Sequence, residues 1–296
     1  MNFDLLRTLT TVAETGSLAA AAQRLHLTPA AIHKQLKLLE VEFGVPLYEK
    51  VGRGIRMSAS TALLLPYAES AMAQIAAAHQ AIEEWRGVRR GLVRIGSGPT
   101  LGSHWLPRLL GKFRGLHPSV VVTVDSGSSE ELLTNARLGR IDLALLLAPP
   151  GRKESGFEVL ATWRARLVFV TADASLAPDG SLRSLSARPF LGYRKGSRMD
   201  AMVEGHFSRM GIEPDTVMRF DNADGIRAML RTGFGFSLLP AWMVTEDLAG
   251  RLRILGPAGR MPTALVELVR FAESPLSPAA RELVRLARAE PLEASV

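Results

Sequence analysis

The feature that most constrains the fold is a run of short helical segments near the N-terminus, separated by sharp turns. Apolar residues repeat at helical spacing before Gly16 and again between Ser17 and Leu25. A third helical stretch opens with Thr28-Pro29, an N-cap residue followed by the residue favoured at the first helical position. Two short helices joined by a turn of three or four residues form a helix-turn-helix unit. The sequence therefore predicts such a unit within the first sixty residues.

The third helix has two chemically different faces. Ile32, Leu36 and Leu39 form one apolar stripe, and the opposite face carries polar or small side chains at Ala30, His33, Lys34 and Lys37. In a helix-turn-helix the second helix of the unit lies in the major groove of DNA, with its N-terminal residues against base edges. On these residues alone, a helical packing unit with a solvated basic face remains possible as well.

Net charge does not decide between these two interpretations. The chain carries a net charge of +7, of which residues 1–90 supply +2 (10 basic against 8 acidic residues) and residues 91–296 supply +5 (26 against 21). Excess positive charge is compatible with DNA binding, but here it does not locate the DNA-binding surface. The local sequence pattern has to locate that surface.

A predicted β-hairpin follows the third helix. Two short strand-like segments, 46–50 and 55–57, flank Gly52-Arg53-Gly54. Glycine on both sides of Arg53 allows a tight turn that projects the guanidinium away from the body, and a narrow minor groove attracts such a side chain. The sequence therefore predicts a wing with Arg53 at its tip.

The stretch from Phe3 to Ser58 resembles the DNA-binding domain of LysR-type transcriptional regulators. The resemblance is carried by AETGSLAAAAQRLHLTPAAIHKQLKLLE and by FGVPLYEKVGRGIRMS, almost without gaps. It implies a winged helix-turn-helix in which Arg53 meets the DNA backbone or minor groove. It also implies that the recognition helix faces DNA through Thr28, Pro29, Ala30, His33 and Lys34.

A long Ala-rich helix is predicted from about Ser60 to Gly87. Its apolar residues alternate four and three apart, which is the spacing of a heptad seam: Leu64, Ala68, Ala71, Ile75, Ala78, Ile82 and Trp85. The helix could instead pack onto its own domain rather than pair with a second helix. The resemblance implies an antiparallel helix pair that forms a dimer, and beyond it a tetramer. Pro66 is expected in the first turns of the helix or at a bend.

Beyond a polar hinge at residues 86–91, predicted strands and helices alternate. The pattern predicts an α/β fold with mainly parallel sheets, in which residues 120–124 form an all-apolar buried strand. This region resembles the two-lobed, periplasmic-binding-protein-like effector domain of the same family. The expected organisation is a DNA-binding domain at 1–58, a linker helix and hinge at 59–90, and an effector domain at 91–296. Within the effector domain, lobe I is expected at about 91–161 and 266–290, and lobe II at about 162–265.

The candidate effector site lies where predicted loops open helices, because hydroxyls and backbone amides at helix N-termini bind anions. Arg198 is expected to supply a positive charge, and Leu146, Leu147, Phe234 and Phe236 an apolar wall. A small organic anion, in particular a carboxylate, is therefore the expected effector. The hydroxyl residues could equally serve only as helix caps. The residues expected at this site are Ser97, Thr100, Ser128, Ser129, Ser197, Arg198 and Phe234.

Several enzyme and metalloprotein classes are disfavoured. The chain has no cysteine, and its six histidines lack metal-ligand spacing, so neither a metal nor another cofactor is expected. Gly96-Ser97-Gly98 suggests a dinucleotide-binding turn, but Leu101 replaces the third glycine. No arrangement of catalytic side chains is apparent, so an enzyme is not expected.

Two non-enzymatic hypotheses compete with a ligand-sensing regulator: a solute-binding protein, and a DNA-bending scaffold that senses nothing. The former needs export, and no signal peptide or membrane span is visible in the sequence. We therefore expect a cytoplasmic transcription regulator. Its expected partners are an operator in double-stranded DNA, a small-molecule effector, further copies of itself and RNA polymerase.

Overall fold

The structure is a computed structural model that describes residues 3–51, 54–85, 91–148, 154–173, 188–245, 250–255 and 261–292. The chain forms two compact units, residues 1–89 together with 134–140 and residues 90–133 together with 141–296. The predicted hinge at residues 86–90 and Arg53 at the tip of the predicted wing lie outside the described residues.

The first unit begins with the three predicted helices, α1 (Phe3–Thr15), α2 (Leu18–Leu25) and α3 (Pro29–Phe43). Gly16, with φ of 62°, ends α1 in the left-handed conformation that favours glycine. Ser17 caps α2, since its hydroxyl accepts a hydrogen bond from the Ala20 amide. Thr28 caps α3 through the Ala31 amide at 3.2 Å. The predicted helix starts are therefore confirmed.

The apolar stripe of α3 packs into the core of this unit. Leu9 and Val12 of α1 and Ile32, Leu36 and Leu39 of α3 are fully buried. An antiparallel hairpin follows, with strands β1 (Tyr48–Val51) and β2 (Gly54–Met57), as the wing prediction requires.

The long helix α4 (Ala59–Trp85) continues through Pro66, which lies in its third turn rather than at its start. Its first half packs on the core of its own unit: Ala68 is buried there, and Leu64 and Ala71 are partly buried against the same cluster. In its second half, Ile75 and Ile82 are exposed to 39% and 51%. The heptad seam therefore has two environments, and its first half needs no partner helix.

The second unit is an α/β assembly with nine strands among its described residues. The strands are β3 (Leu92–Ser97), β4 (Val121–Ser126), β5 (Leu143–Leu147), β6 (Phe157–Thr171), β7 (Pro189–Tyr193), β8 (Asp215–Phe220), β9 (Phe236–Pro240), β10 (Arg253–Leu255) and β11 (Thr263–Phe271). The helices are α5 (Pro99–His104), α6 (Leu106–Leu116), α7 (Ser129–Arg137), α8 (Arg198–Arg209), α9 (Ala223–Leu230), α10 (Ala241–Thr245) and α11 (Pro278–Ala289).

Two long strands join the two lobes of this unit. The strand order is β4-β3-β5-β11-β6-β9-β7-β8, with β10 also paired to β6. Strands β6 and β11 run antiparallel along most of their length, from Thr263 opposite Arg166 to Phe271 opposite Phe157. Strands β3, β4 and β5 are parallel to one another on one side, and β7, β8 and β9 are parallel on the other. We call these sides the first and second lobe.

Two predictions about the sheets are wrong. The strand expected to be buried at residues 120–124 is β4, an edge strand in which Val121 and Val124 are 58% and 45% exposed. Its apolar residues indicate only strand propensity, because an edge strand lacks a covering neighbour on one side. The sheets are also not mainly parallel, since β6 and β11 pair antiparallel with all of their neighbours.

His206 of α8 is a buried histidine in the core of the second lobe. Its ring packs near Phe169 and Phe207, and its Nε2 finds no hydrogen-bond partner among the described residues. Burial lowers the pKa of His206, because an imidazolium ion loses its hydration there, and the positive charge of Arg209 adds to the effect.

This environment predicts a pH dependence of stability. As pH falls below the ordinary histidine pKa of about 6.5, the unfolded chain takes up a proton that the folded chain resists, so the free energy of unfolding decreases. We expect His206→Phe to reduce this decrease when urea unfolding is compared at about pH 7.5 and 5.5. The exposed His79→Gln should retain the wild-type dependence. Equal pH dependence in wild type and His206→Phe would contradict the assignment.

Candidate functional site

The exposed surface of α3 begins at its N-terminus. Thr28, Pro29, Ala30 and Lys34 are exposed, as the sequence predicts, and Lys34 forms no ion pair with a described residue. His33 is half-buried, with its ring edge-on to Tyr48 at a centroid distance of 6.1 Å. This end of α3 therefore presents backbone, a hydroxyl and one unpaired ammonium group on a continuous surface.

Lys37 lies one turn further along α3 and is already paired. Its Nζ is 2.6 Å from Glu40 Oε2 and lies over the Tyr48 ring at 5.6 Å from the centroid. The hydrogen bond to Glu40 raises the pKa of Lys37. Glu40 also accepts the Leu47 amide at 2.8 Å, which attaches the start of the hairpin to α3. Lys37 thus lies on the predicted face, but its charge is compensated locally.

The second unit contains a cavity of about 230 Å³ between its two lobes. This volume is somewhat below that of most small-molecule sites, which usually measure roughly 300–1,000 Å³. Strand ends and helix N-termini form much of the polar lining: Thr100 from the first turn of α5, Ser128 and Ser129 at α7, Ser197 and Arg198 at α8, and Asn222 at α9. Much of the remaining lining is apolar: Leu101, Leu146, Leu147, Leu167, Met199, Pro240, Trp242 and Val266.

The helix that begins at Ser129 carries a capping box. The Ser128 amide and hydroxyl donate to Glu131 Oε2 at 2.7 and 2.8 Å, and the Ser128 hydroxyl accepts the Glu131 amide at 3.3 Å. These two donors lower the pKa of Glu131, and the positive charge of Arg194 makes a small further contribution. Glu131 is therefore an ionised carboxylate that is already hydrogen-bonded.

Among the described residues, polar contacts cross from one lobe to the other beside the cavity at three places. Thr100 Oγ1 accepts the Ala223 amide at 3.2 Å, and His104 Nε2 lies 2.8 Å from Asp224 Oδ1. The third contact is Arg198 of the second lobe, which binds three groups on the first-lobe side. We call the Arg198 contact the cross-cleft bridge.

The cross-cleft bridge uses all three guanidinium nitrogens of Arg198. Nε donates to Glu130 Oε1 at 3.1 Å, Nη1 donates to the Leu147 carbonyl at 2.6 Å, and Nη2 pairs with Glu154. The side chain is only 11% exposed. Arg198 lines the cavity as predicted, but it is neutralised by the protein itself. The expectation that it offers a free positive charge is therefore not met.

Five of the seven residues expected at the effector site line this cavity: Thr100, Ser128, Ser129, Ser197 and Arg198. Ser97 and Phe234 do not. Ser97 is fully buried, its hydroxyl donates to the Gly98 carbonyl at 3.2 Å, and its side chain faces Gly102 of α5. Phe234 packs against the hydrophobic core. Of the expected apolar wall, Leu146 and Leu147 line the cavity, whereas Phe236 is fully buried elsewhere.

Sequence reasoning missed two cations that line the cavity, Arg194 and Lys195. Both follow β7, a strand that the sequence pattern does not predict. Lys195 forms an ion pair with Glu204 of α8. Arg194 is exposed, and its guanidinium forms no hydrogen bond or ion pair with a described residue. Both residues lie immediately before Gly196 and the predicted cap Ser197, and this position next to an expected site residue is the sequence signal that indicates them.

Neither a metal-binding cluster nor a helix suited to a membrane is found in the described part of the chain. Within the described ranges, no group of three or more His, Asp or Glu side chains is arranged to hold a metal ion. None of the described helices combines the length and apolar character needed to cross a bilayer.

Comparison with known proteins identifies both units. The model of the bacterial regulatory helix-turn-helix protein, lysR family, matches residues 3–61, and that of the LysR substrate binding domain matches residues 86–291. A probable nitrogen assimilation transcriptional activator of Synechococcus elongatus is 29% identical over 293 residues, which cover 97% of this chain and 94% of the relative.

Solved structures share this fold over most of the chain. Full-length CbnR complexed with its target DNA has a TM-score of 0.72 at 22% identity, covering 98% of this chain and 99% of CbnR. The effector binding domain of QuiR in complex with shikimate has a TM-score of 0.59 at 17% identity, covering 68% of this chain and 96% of QuiR. The chain belongs to the LysR-type transcriptional regulators, which are DNA-binding proteins with a two-lobed effector-binding domain and are not enzymes.

Proposed function

We propose that this regulator recognises its operator through the exposed N-terminal part of α3 and the wing, and that a small organic anion in the inter-lobe cavity modulates its activity. The observation that carries the effector proposal is the convergence of helix N-termini on one small, largely apolar cavity. Backbone amides and the helix dipole at such termini favour negative charge.

The proposed DNA contacts are Thr28, Pro29, Ala30, His33 and Lys34, together with Arg53 of the wing. Lys37 contributes less to DNA binding, because DNA phosphates must compete with Glu40 for its ammonium group. The absence of a partner for Lys34 among the described residues makes it the strongest candidate for a phosphate or base contact.

Lys34→Ala should weaken binding to an operator duplex selected from a random pool by the wild-type protein. We expect a loss of roughly 1–3 kcal/mol at fixed salt, because one groove or phosphate contact disappears. Arg285→Ala removes one exposed positive charge from α11 and is the matched control. Equal affinities of wild type and Lys34→Ala in fluorescence anisotropy would refute this assignment.

We propose domain limits of 1–58, 59–90 and 91–296. Lobe I takes about 91–161 and 266–290, and lobe II about 162–265. We also propose that α4 pairs with α4 of a second copy, that these dimers form tetramers, and that RNA polymerase is a further partner. The exposed Ile75, Ala78 and Ile82 support helix pairing in the second half of α4, whereas Leu64, Ala68 and Ala71 are accounted for by contacts within their own unit.

Ile75→Glu should disrupt the dimer, because a charge buried without a partner in an apolar helix pair is costly. We expect monomers in analytical ultracentrifugation and loss of binding to two-half-site DNA. Ala76 is exposed and lies away from the seam, so Ala76→Glu is the control that should remain dimeric. Retention of the wild-type oligomer by Ile75→Glu would show that the seam does not form the interface.

We propose that the effector is a carboxylate with a compact apolar body. Thr100, Ser128, Ser129 and Ser197 offer hydroxyl groups, and apolar side chains line much of the cavity. The effector binding domain of QuiR was solved in complex with shikimate, a small carboxylate.

A thermal-shift panel of small carboxylic acids and their neutral amides tests this proposal. Acids should raise the melting temperature of the full chain and change its operator affinity, because a ligand that binds only the folded state stabilises it. Ser129→Ala should weaken the response to the acids, whereas Ser103→Ala, an exposed position of α5 outside the cavity lining, should not. Stabilisation by amides or amines but not by acids would contradict an anionic effector.

A further inference from the structure

The three cations that line the inter-lobe cavity are not equivalent. Arg194, Lys195 and Arg198 lie within five residues of one another, between the end of β7 and the start of α8. An anionic ligand needs a cation that does not have to give up an existing partner, since breaking a pair offsets the energy of the new one. The hydrogen-bond partners of each cation therefore decide which of them is available.

Arg198 is the least available of the three. Its guanidinium is held by Glu130, by the Leu147 carbonyl and by Glu154, and little of it is exposed. A ligand carboxylate would have to displace two carboxylates of the protein and leave them uncompensated. Lys195 is also occupied, because its ammonium group pairs with Glu204 on the adjacent helix.

Arg194 differs from both. It is exposed at the cavity, and none of the described residues forms a hydrogen bond or ion pair with its guanidinium. The positive charge of Arg194 lowers the pKa of the nearby Glu131 slightly, but this carboxylate is already hydrogen-bonded by the amide and hydroxyl of Ser128. Of the two carboxylates that line the cavity, Glu130 pairs with Arg198 and Asp221 accepts a hydrogen bond from Asn222 at 2.7 Å.

We propose that Arg194 binds the carboxylate of the effector, while Arg198 serves as the cross-cleft bridge. This inference rests on the proposed function, since it names the residue that recognises the anion. The planar guanidinium can hold a carboxylate through two parallel hydrogen bonds. A single cavity cation without a partner among the described residues, in a small cavity with much apolar lining, selects monocarboxylates over dicarboxylates, because a second carboxylate would be desolvated without a partner.

Acetate is the probe, because it is the smallest carboxylate with an apolar part and fits the cavity whatever body the natural effector has. The melting temperature of the full chain is measured in increasing acetate, with acetamide and chloride as references at constant ionic strength. Wild type should show a saturable stabilisation by acetate beyond that by chloride. Arg194→Met should weaken the apparent acetate affinity about tenfold or more, as expected when a charge-assisted pair is lost.

Three further variants complete the test. Arg194→Lys should retain part of the acetate response, since it keeps the charge but loses the planar fork. Arg209→Met removes one positive charge from the same lobe outside the cavity lining and should respond like wild type. Lys195→Met removes the cavity cation that is paired with Glu204 and should lose less of the acetate response than Arg194→Met. Arg194 has no partner among the described residues, so its variants should melt near the wild-type temperature without acetate.

The outcomes separate this inference from the broader proposal. A wild-type response that persists in Arg194→Met, or that disappears in Lys195→Met instead, would overturn the role of Arg194 but leave an anionic effector in place. Absence of any acetate-specific response in wild type would also overturn it. If no acid of the wider panel stabilises the chain or changes its operator affinity, the anionic effector itself fails.

Discussion

The antiparallel pairing of β6 with β11 is the constraint on which the effector-binding unit depends. These strands carry the chain from the first lobe to the second and back, and each also pairs with strands on its outer side. Two adjacent connections of this kind hold the lobes together but leave relative rotation as a low-energy motion.

In the described part of the chain, the cross-cleft bridge is one of several contacts that favour the approach of the lobes, and it is made entirely from the protein's own groups. Arg198 contributes three hydrogen bonds, while Thr100 and His104 contribute one contact each to α9. A ligand changes the equilibrium between lobe arrangements only through a difference in its affinity for them. Because the bridge already supplies part of the energy that holds the lobes together, a ligand needs to add only a modest difference in affinity to shift the population.

How much of this structure could be predicted from the sequence depends on the range of the interactions. Helix starts at Ser17, Thr28 and Ser128 were predicted, because a cap and its amide lie within three residues of each other. The wing hairpin is also predicted from neighbouring residues, because Gly52 and Gly54 lie between its two short strand-like segments. The partners of Arg198 lie 68, 51 and 44 residues away, so no local pattern indicates them. Strand β7 was missed because Pro189 and Gly192 interrupt its apolar run, although neighbouring strands hold it in the sheet.

Helix α4 shows why a repeat alone does not identify a partner. Ala68 and Ile75 belong to one seam by spacing, yet Ala68 is buried in the core of its own unit and Ile75 is exposed. A heptad stripe indicates that one face of a helix is buried, and any apolar surface can bury it. The same holds for the charged groups. The sequence indicates Lys34, Lys37 and Arg198 near functional surfaces, but Lys37 and Arg198 already have carboxylate partners there. Proximity to a site is therefore a property of the sequence and topology, whereas availability to a ligand is a property of the three-dimensional pairing of charges.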